Sequence, residues 1–342
     1  MKNENYDVVV LIPTDNCVET IDRSLQSIFR QTFNSSRIKI VAVDNNSTDG
    51  TYERLLEYVI ERKISVNRLH KKYLETRLLL KAIQFLQFYK DYKYFTILDP
   101  GDILYSDYLD RCTAILDKTA TYKTKVLFCN SDILDDSGKK LEQTPIFSNN
   151  CILLKKEHLA QFFIKGTKSK VQSLFSHGAI HETLVEMPFY VDLTDWFKKA
   201  FFPFRDNCIY VKDALVCTCE RDYKDKLYDL VLRFSLIVKF KIYRNSFPGD
   251  SNGYLDEMLL NVDIYKNLSQ LAIEYAADAF DKNDLSSANK ILLFAEIVYE
   301  DIVLHPHFIA LKDALISNSP VVLGKAEFTE ASSPPPPGAI IL

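Results

Sequence analysis

Along residues 1–130, short continuous apolar runs alternate with longer stretches in which apolar residues recur every three or four positions. Asp7–Ile12 (DVVVLI) has the unbroken character of a strand buried on both faces, and Pro13 ends it. Thr20–Gln31 then places Ile21, Leu25, Ile28 and Phe29 on one helical face. Lys39–Val43 is a second buried strand, Asp44–Gly50 a dense polar loop and Thr51–Arg62 a helix. Ile64–Leu69 reads as a third strand, Glu75–Tyr89 as an apolar helix and Tyr94–Leu98 as a fourth strand. Asp107–Lys118 is helical and Lys125–Asn130 is another strand. This alternation predicts an α/β fold, a mostly parallel sheet with helices on both faces. Ligands of such sheets bind at the carboxyl ends of the strands.

The pattern changes twice. Residues 131–222 are mixed and aromatic: Asp135-Asp136-Ser137-Gly138 predicts a hairpin turn, and Asn207–Cys219 alternates like a strand pair turning near Lys212-Asp213. From residue 223 to 320 the spacing is helical only, with Asn267–Phe280 and Leu285–Tyr299 as an antiparallel pair. One pair is no repeat array. Residues 321–342 read as a Pro-rich flexible tail: Ser332–Gly338 (SSPPPPG) is an extended linker, followed by the apolar Ala339–Leu342. The expected organisation is therefore an α/β domain over 1–222, with an alternating half 1–130 and a mixed half 131–222, then an all-α region over 223–320.

Composition narrows the function. The 42 Lys and Arg against 46 Asp and Glu give a net charge of −4, a field too weak for a general nucleic-acid binder. Only nine glycines occur, with neither G-x-G-x-x-G nor G-x-x-x-x-G-K-[ST], so a classical dinucleotide site or P-loop is not expected. That absence also weighs against nucleotidyl transfer. No run reaches the ~20 apolar residues that span a bilayer, and MKNENYDVVV has no leader-like stretch. A cytoplasmic location is expected. The seven cysteines read as reduced, mostly buried thiols.

Three polar loops follow predicted strands: Pro13-Thr14-Asp15-Asn16, Asp44–Gly50 (DNNSTDG) and Asp99-Pro100-Gly101-Asp102. Together they offer acceptors for a nucleobase and carboxylates for a divalent cation, Mn²⁺ or Mg²⁺, which takes oxygen ligands and bridges substrate phosphates. Taken singly, each loop is also what an ordinary turn or helix cap would look like, with Asp49 or Ser47 as the cap before Thr51.

Taken in order, these segments resemble the family 2 glycosyltransferases with the GT-A fold. The opening strand and P-x-[YH]-N pattern correspond to Val8–Asn16, and the helix ending S-[IV]-x-x-Q-[ST] to Ser27–Thr32. The second strand and loop correspond to Val43–Thr51 (VDNNSTDGT), and the D-x-D-type motif to Leu98–Asp102. The resemblance implies a nucleotide-sugar donor, UDP-linked by preference, bound through Pro13, Thr14, Asp15, Asn16, Asp44, Asn45, Arg77 and Asp99. Asn45 would meet the base edge and Asp44 would hold its loop. Arg77 would take the diphosphate, with Arg68 and Lys71 as rivals. Asp102 and Asp99 would hold the metal. Two positions depart from the pattern: Asp15 stands where an aromatic is common, and Gly101 where the last Asp of D-x-D often lies.

The resemblance further implies an inverting transfer with a carboxylate base. Asp195-Trp196 resembles the family's E-D motif followed by Trp, so Asp195 is the expected base and Asp192 the alternative. The implied acceptor is a glycan, a lipid-linked oligosaccharide or a glycoprotein, in surface polysaccharide or adhesin glycosylation in bacteria. Trp196–Arg205 (WFKKAFFPFR) is a candidate contact with the inner face of a membrane, or core with snorkelling lysines. His177 and His181 read as surface histidines, and Arg221 and Arg205 as weaker candidates for the diphosphate. The helical region is read as a surface for self-association or acceptor docking. The competing reading is a degenerate glycosyltransferase-fold scaffold acting through that region, favoured by Asp15, Gly101 and Thr194.

Overall fold

The computed structural model describes residues 6–61, 63–73, 75–89, 91–134, 139–141, 144–154, 171–177, 179, 207–219, 226–227, 230–231, 234, 262–317 and 332–342. These fall into two compact units. Those within Met1–Leu159, Lys170–Glu220 and Pro334–Leu342 form one, and those within Arg221–Ser333 the other.

The first unit is built on one sheet. Its amino-terminal half runs β1 (Val8–Thr14), α1 (Val18–Phe29), β2 (Ile38–Asp44), α2 (Thr51–Ile60), β3 (Ser65–Arg68), α3 (Glu75–Phe85) and β4 (Tyr94–Ile97). Next come β5 (Ile103–Leu104), α4 (Tyr108–Lys118), β6 (Thr124–Leu134), β7 (Lys140–Leu141), β8 (Cys151–Leu153), β9 (Val171–Ser176), β10 (Asn207–Cys219) and β11 (Ile340–Ile341). The path of the sheet is β11-β8-β10-β6-β9-β4-β1-β2-β3, with β5 on β10 and β7 on β6. β1, β2, β3 and β4 are mutually parallel, and β6 is parallel to β10. β9 lies antiparallel between β4 and β6.

All seven residues of β1 are buried, as expected of a strand covered on both faces. α1 buries Ile21, Leu25 and Ile28 at helical spacing against the sheet. Each such side chain contributes roughly 1.5–3 kcal/mol through burial, which drives the layering. The parallel register sends the loops after β1, β2 and β4 out of one end. β1 sits between the other two strands, so the outer loops start roughly 10 Å apart at ordinary strand spacing.

Two expectations are corrected. Residues 207–219 are one continuous strand. Lys212 and Asp213 sit in an irregularity where the register against β6 slips between Val211, Ala214 and Val216. A bulge, in place of a turn, keeps both halves paired with one neighbour while admitting extra residues. The stretch after the prolines is no free tail: Ile340 and Ile341 pair antiparallel with Ile152 and Cys151, and the Leu342 amide donates to the Asn150 carbonyl at 3.0 Å. An apolar segment delivered by a stiff Pro run covers a sheet edge that would otherwise be unpaired. β6 and β7 form the expected hairpin arms, and the tip at 135–138 lies outside the described residues.

The second unit contains α5 (Val262–Asp281), α6 (Leu285–Val298) and α7 (Pro306–Ser317). Asp284 caps α6 by accepting from the Ser287 amide at 3.1 Å. Ser269 donates to the Ala295 carbonyl at 2.9 Å, tying α5 to α6 where both are buried. Among the described residues no helix is long and apolar enough to cross a membrane.

Candidate active site

The loops after β1 and β2 are locked together by side chains. Asp44, fully buried at the end of β2, accepts from the Ser47 amide at 3.1 Å and from Thr14 Oγ1 at 3.3 Å. Arg68 lies with its Nε 3.5 Å from Asp44, donates to the Ser47 carbonyl at 2.8 Å, and stacks over the Tyr52 ring. Asp44 and Arg68 therefore shape the loop from within, a buried charge held by a cation and hydrogen bonds. Asn16 and Asn46 adopt positive φ of 48° and 55°, a conformation asparagine tolerates. The Asn16 amide donates to Ser47 Oγ at 3.0 Å, and its side-chain oxygen accepts from the Thr48 amide at 2.9 Å.

Asp49 serves two helices at once. One oxygen accepts from the Val18 amide at the start of α1 (3.0 Å), the other from the Thr51 amide (3.0 Å) and Thr51 Oγ1 (2.6 Å) at the start of α2. Burial works against its charge, but these hydrogen bonds outweigh that and hold the carboxyl below its usual range. Gly50 beside it has φ 96°, which glycine alone adopts without strain. Thr51 Oγ1 also accepts from the Cys17 amide at 2.8 Å. Burial pushes the Cys17 thiol up to about 12, so it stays protonated.

Asn45 is fully buried and its amide is spent inside the protein. Its Nδ2 donates to Asp15 Oδ2 and to the Tyr73 carbonyl, both at 2.8 Å, and its oxygen accepts from the Tyr73 amide at 2.8 Å. It clamps the 70–73 segment to the β2 loop, so the expected base contact through its side chain is not its main use. Asp15 is half-buried as a residue: its Oδ2 accepts from Asn45, and its Oδ1, itself a buried atom, lies 3.0 Å from Lys72 Nζ. Pro13 and Thr14 are buried residues of β1, behind these groups.

The third loop is a type II turn. The Asp102 amide donates to the Asp99 carbonyl at 3.0 Å, with Pro100 and Gly101 at its centre and Gly101 at φ 98°. Glycine at this D-x-D-like position is thus a backbone requirement. The turn brings Asp99 and Asp102 to its two ends, Asp102 buried and Asp99 partly exposed. Ser24 on α1, fully buried, receives the Gly101 amide at 2.7 Å and donates to the Asp102 carbonyl at 2.9 Å. Ser27 accepts from the Leu104 amide at 3.1 Å. Gln31 donates to the Tyr105 carbonyl at 2.7 Å and accepts from the Leu109 amide at 3.0 Å. Ser24 and Ser27 lie on one face of α1, and Gln31 follows just past its end. Ser24 is a site residue not expected from the sequence, although as a polar position inside an otherwise apolar helix face it carried a signal.

Asp99 and Asp102 supply only oxygen donors, the kind Mg²⁺ and Mn²⁺ take. No group of three or more His, Cys, Asp or Glu suited to a metal occurs among the described residues. The pair fits an ion that completes its sphere with water and donor phosphates, as Mg²⁺ does.

The remaining sequence candidates divide. Arg77 lies in α3, and its side chain is outside the described residues, as are Asp192, Asp195, Trp196–Arg205, His181 and Arg221. His177 sits away from the loops, its amide bonded to the Lys93 carbonyl ahead of β4 and its ring 4.5 Å from that of Tyr92. All cysteines among the described side chains are free thiols, buried except for the half-buried Cys17.

The profile of the family described as Glycosyl transferase family 2 matches residues 9–174. No curated protein matches the sequence. Solved structures that share the fold include S. aureus TarS 1-349 in complex with UDP-GlcNAc, at 12% identity and TM-score 0.58, covering 92% of each chain. Another is the mannosyltransferase PcManGT from Pyrobaculum calidifontis in complex with GDP-Man and Mn²⁺, at 15% identity and TM-score 0.52, covering 92% of this chain and 88% of that one. Residues 9–174 thus match the family 2 glycosyltransferase profile, and the strands and loops that carry the motifs are those of a GT-A fold.

Proposed function

We propose that this enzyme moves a sugar from a nucleoside-diphosphate sugar to a hydroxyl of a glycan, lipid-linked or glycoprotein acceptor, with inversion at the anomeric carbon. The observation that carries the reading is the turn Asp99–Asp102, set at a parallel strand end and pinned to α1 by Ser24. The nucleotide complexes of the fold neighbours support it.

The nucleobase is read by Asp15 and Lys72. A carboxylate accepts a ring N–H, and an ammonium 3.0 Å away donates to an adjacent carbonyl. Uracil, and also guanine, offer that N–H beside a carbonyl; cytosine and adenine do not. UDP-sugars stay the first choice. Asp99 and Asp102 would hold a divalent cation, which would supply positive charge against the leaving diphosphate. Arg77 is the proposed partner of that diphosphate. The acceptor oxygen attacks the anomeric carbon as the bond to the diphosphate oxygen breaks, and the acceptor proton passes to Asp195, or to Asp192 in its place. The helical region serves acceptor docking or self-association. Surface-glycan or adhesin glycosylation at the cytoplasmic face of a bacterial membrane is the setting that fits such acceptors.

The test is a screen of nucleotide sugars with purified protein and Mn²⁺, reading released nucleoside diphosphate. Release from a UDP- or GDP-sugar, and none from CDP- or ADP-sugars, is expected. Tight nucleotide binding without release across a broad acceptor panel would instead favour a scaffold.

A further inference from the structure

The amino-terminal end of the same sheet carries a cavity of about 460 Å³, with no part in the donor reading. It exists because β3 is shorter than β2: their pairing begins only at Val41 and Ser65, so Ile38, Lys39 and Ile40 have no partner on that side among the described residues. The floor is apolar, from Ile28 and Phe29 of α1, Ile38 and Ile40 of β2, and Ile64. Two ammonium groups stand in the wall. Lys39 Nζ lies 5.4 Å from the Tyr6 ring centroid and 5.9 Å from that of Tyr89, and has no carboxylate partner among the described residues. Lys63 Nζ lies 5.3 Å from the Phe29 ring and 2.6 Å from Glu61, the one acidic group paired with a lining lysine among the described residues. Ser35 and Ser36 add exposed hydroxyls.

An apolar floor of ligand-site size with an unneutralised, aromatic-flanked cation at its rim calls for a molecule with a matching division. We propose that this notch binds a phosphate head group on an alkyl-type chain, the head at Lys39 and the chain along the isoleucines. Inorganic phosphate lacks the chain and an alcohol lacks the charge, so neither satisfies both halves. β2 is seven residues long, which puts the notch roughly 20 Å from the loops at the carboxyl end. Occupancy is therefore independent of donor binding.

The test is calorimetric titration of the full chain with dodecyl phosphate below its micelle concentration. Saturable binding is expected, weakening about tenfold or more when the tail loses two methylenes. Dodecyltrimethylammonium should bind at least about tenfold more weakly, and inorganic phosphate not measurably. Lys39→Glu should abolish binding and Lys39→Gln should weaken it about tenfold, with both melting like the parent protein. No saturable binding, binding unchanged in the folded Lys39→Gln protein, equal affinity for the cationic amphiphile, or displacement by UDP or GDP would each overturn the proposal. Vesicles containing phosphatidic acid separate the sources. Lys39-dependent co-sedimentation supports it with a membrane head group as ligand, and monomer binding without co-sedimentation supports it with a dispersed one.

Discussion

The two ends of the β1–β2–β3 sheet are built from the same strands, yet they handle polar groups in opposite ways. At the carboxyl end, Asp44, Asn45, Asp49 and Ser24 are engaged with backbone amides and carbonyls from neighbouring loops. That network spends much of its hydrogen-bonding capacity holding backbone in place, with Asp15, Asp99 and Asp102 beside it as the proposed ligand carboxylates. At the amino end, Lys39 is flanked by rings with no such network. A densely bonded rim gives a rigid site for a polar, charged donor. A rim of lysine and isoleucine adapts to something greasier. The contrast shows why polarity alone does not mark a site: the residues that look most functional in the β2 loop are largely its scaffolding.

The comparison is broken most severely at Asp102. Asp102→Ala should lower donor turnover by about a hundredfold or more, the scale of losing a group that holds transition-state charge, while the melting temperature moves little. A rate within about threefold of the parent would remove Asp102 from the site. Ser24→Ala comes next. It strands the buried Gly101 amide and removes a donor to Asp102, so about 1–3 kcal/mol of stability should go, read by denaturant unfolding. The Mn²⁺ concentration for half-maximal rate should rise as the turn loosens, and Ser24→Thr should recover part of that where Ala does not. The smallest effect is at Asp49. Its carboxyl is held below the ordinary value near ~3.9, so the stabilisation it provides is complete above that pH and fades as pH falls through the lowered value. The melting-temperature gap between parent and Asp49→Asn should be steady from pH 7 to 5 and close toward pH 3. A gap that widens on acidification would reverse the assignment.

Much of the α/β half was legible because its signals are local. An unbroken run such as Val8–Ile12 has only one comfortable place, a strand covered on both faces, and Ile21, Leu25 and Ile28 can share a face only in a helix. The spacing of the Asp44–Gly50 and Asp99–Asp102 loops after those runs was enough to place them at one sheet end. Gly101 looked like a weakened motif, and its φ of 98° shows it to be a turn requirement. The break expected at Lys212 failed because a polar pair in a strand marks a bulge as readily as a turn, and only the pairing with β6 tells them apart. The apolar residues after the proline run carry no local hint of the strand they join. Patterning and loop chemistry, being properties of neighbours in sequence, were written in the chain. Which acceptors remain open, which are consumed by Tyr73 or Ser24, and where β3 stops short of β2 are set by contacts between residues distant in sequence. Hydrogen-bond partners and strand register exist only once the chain has folded.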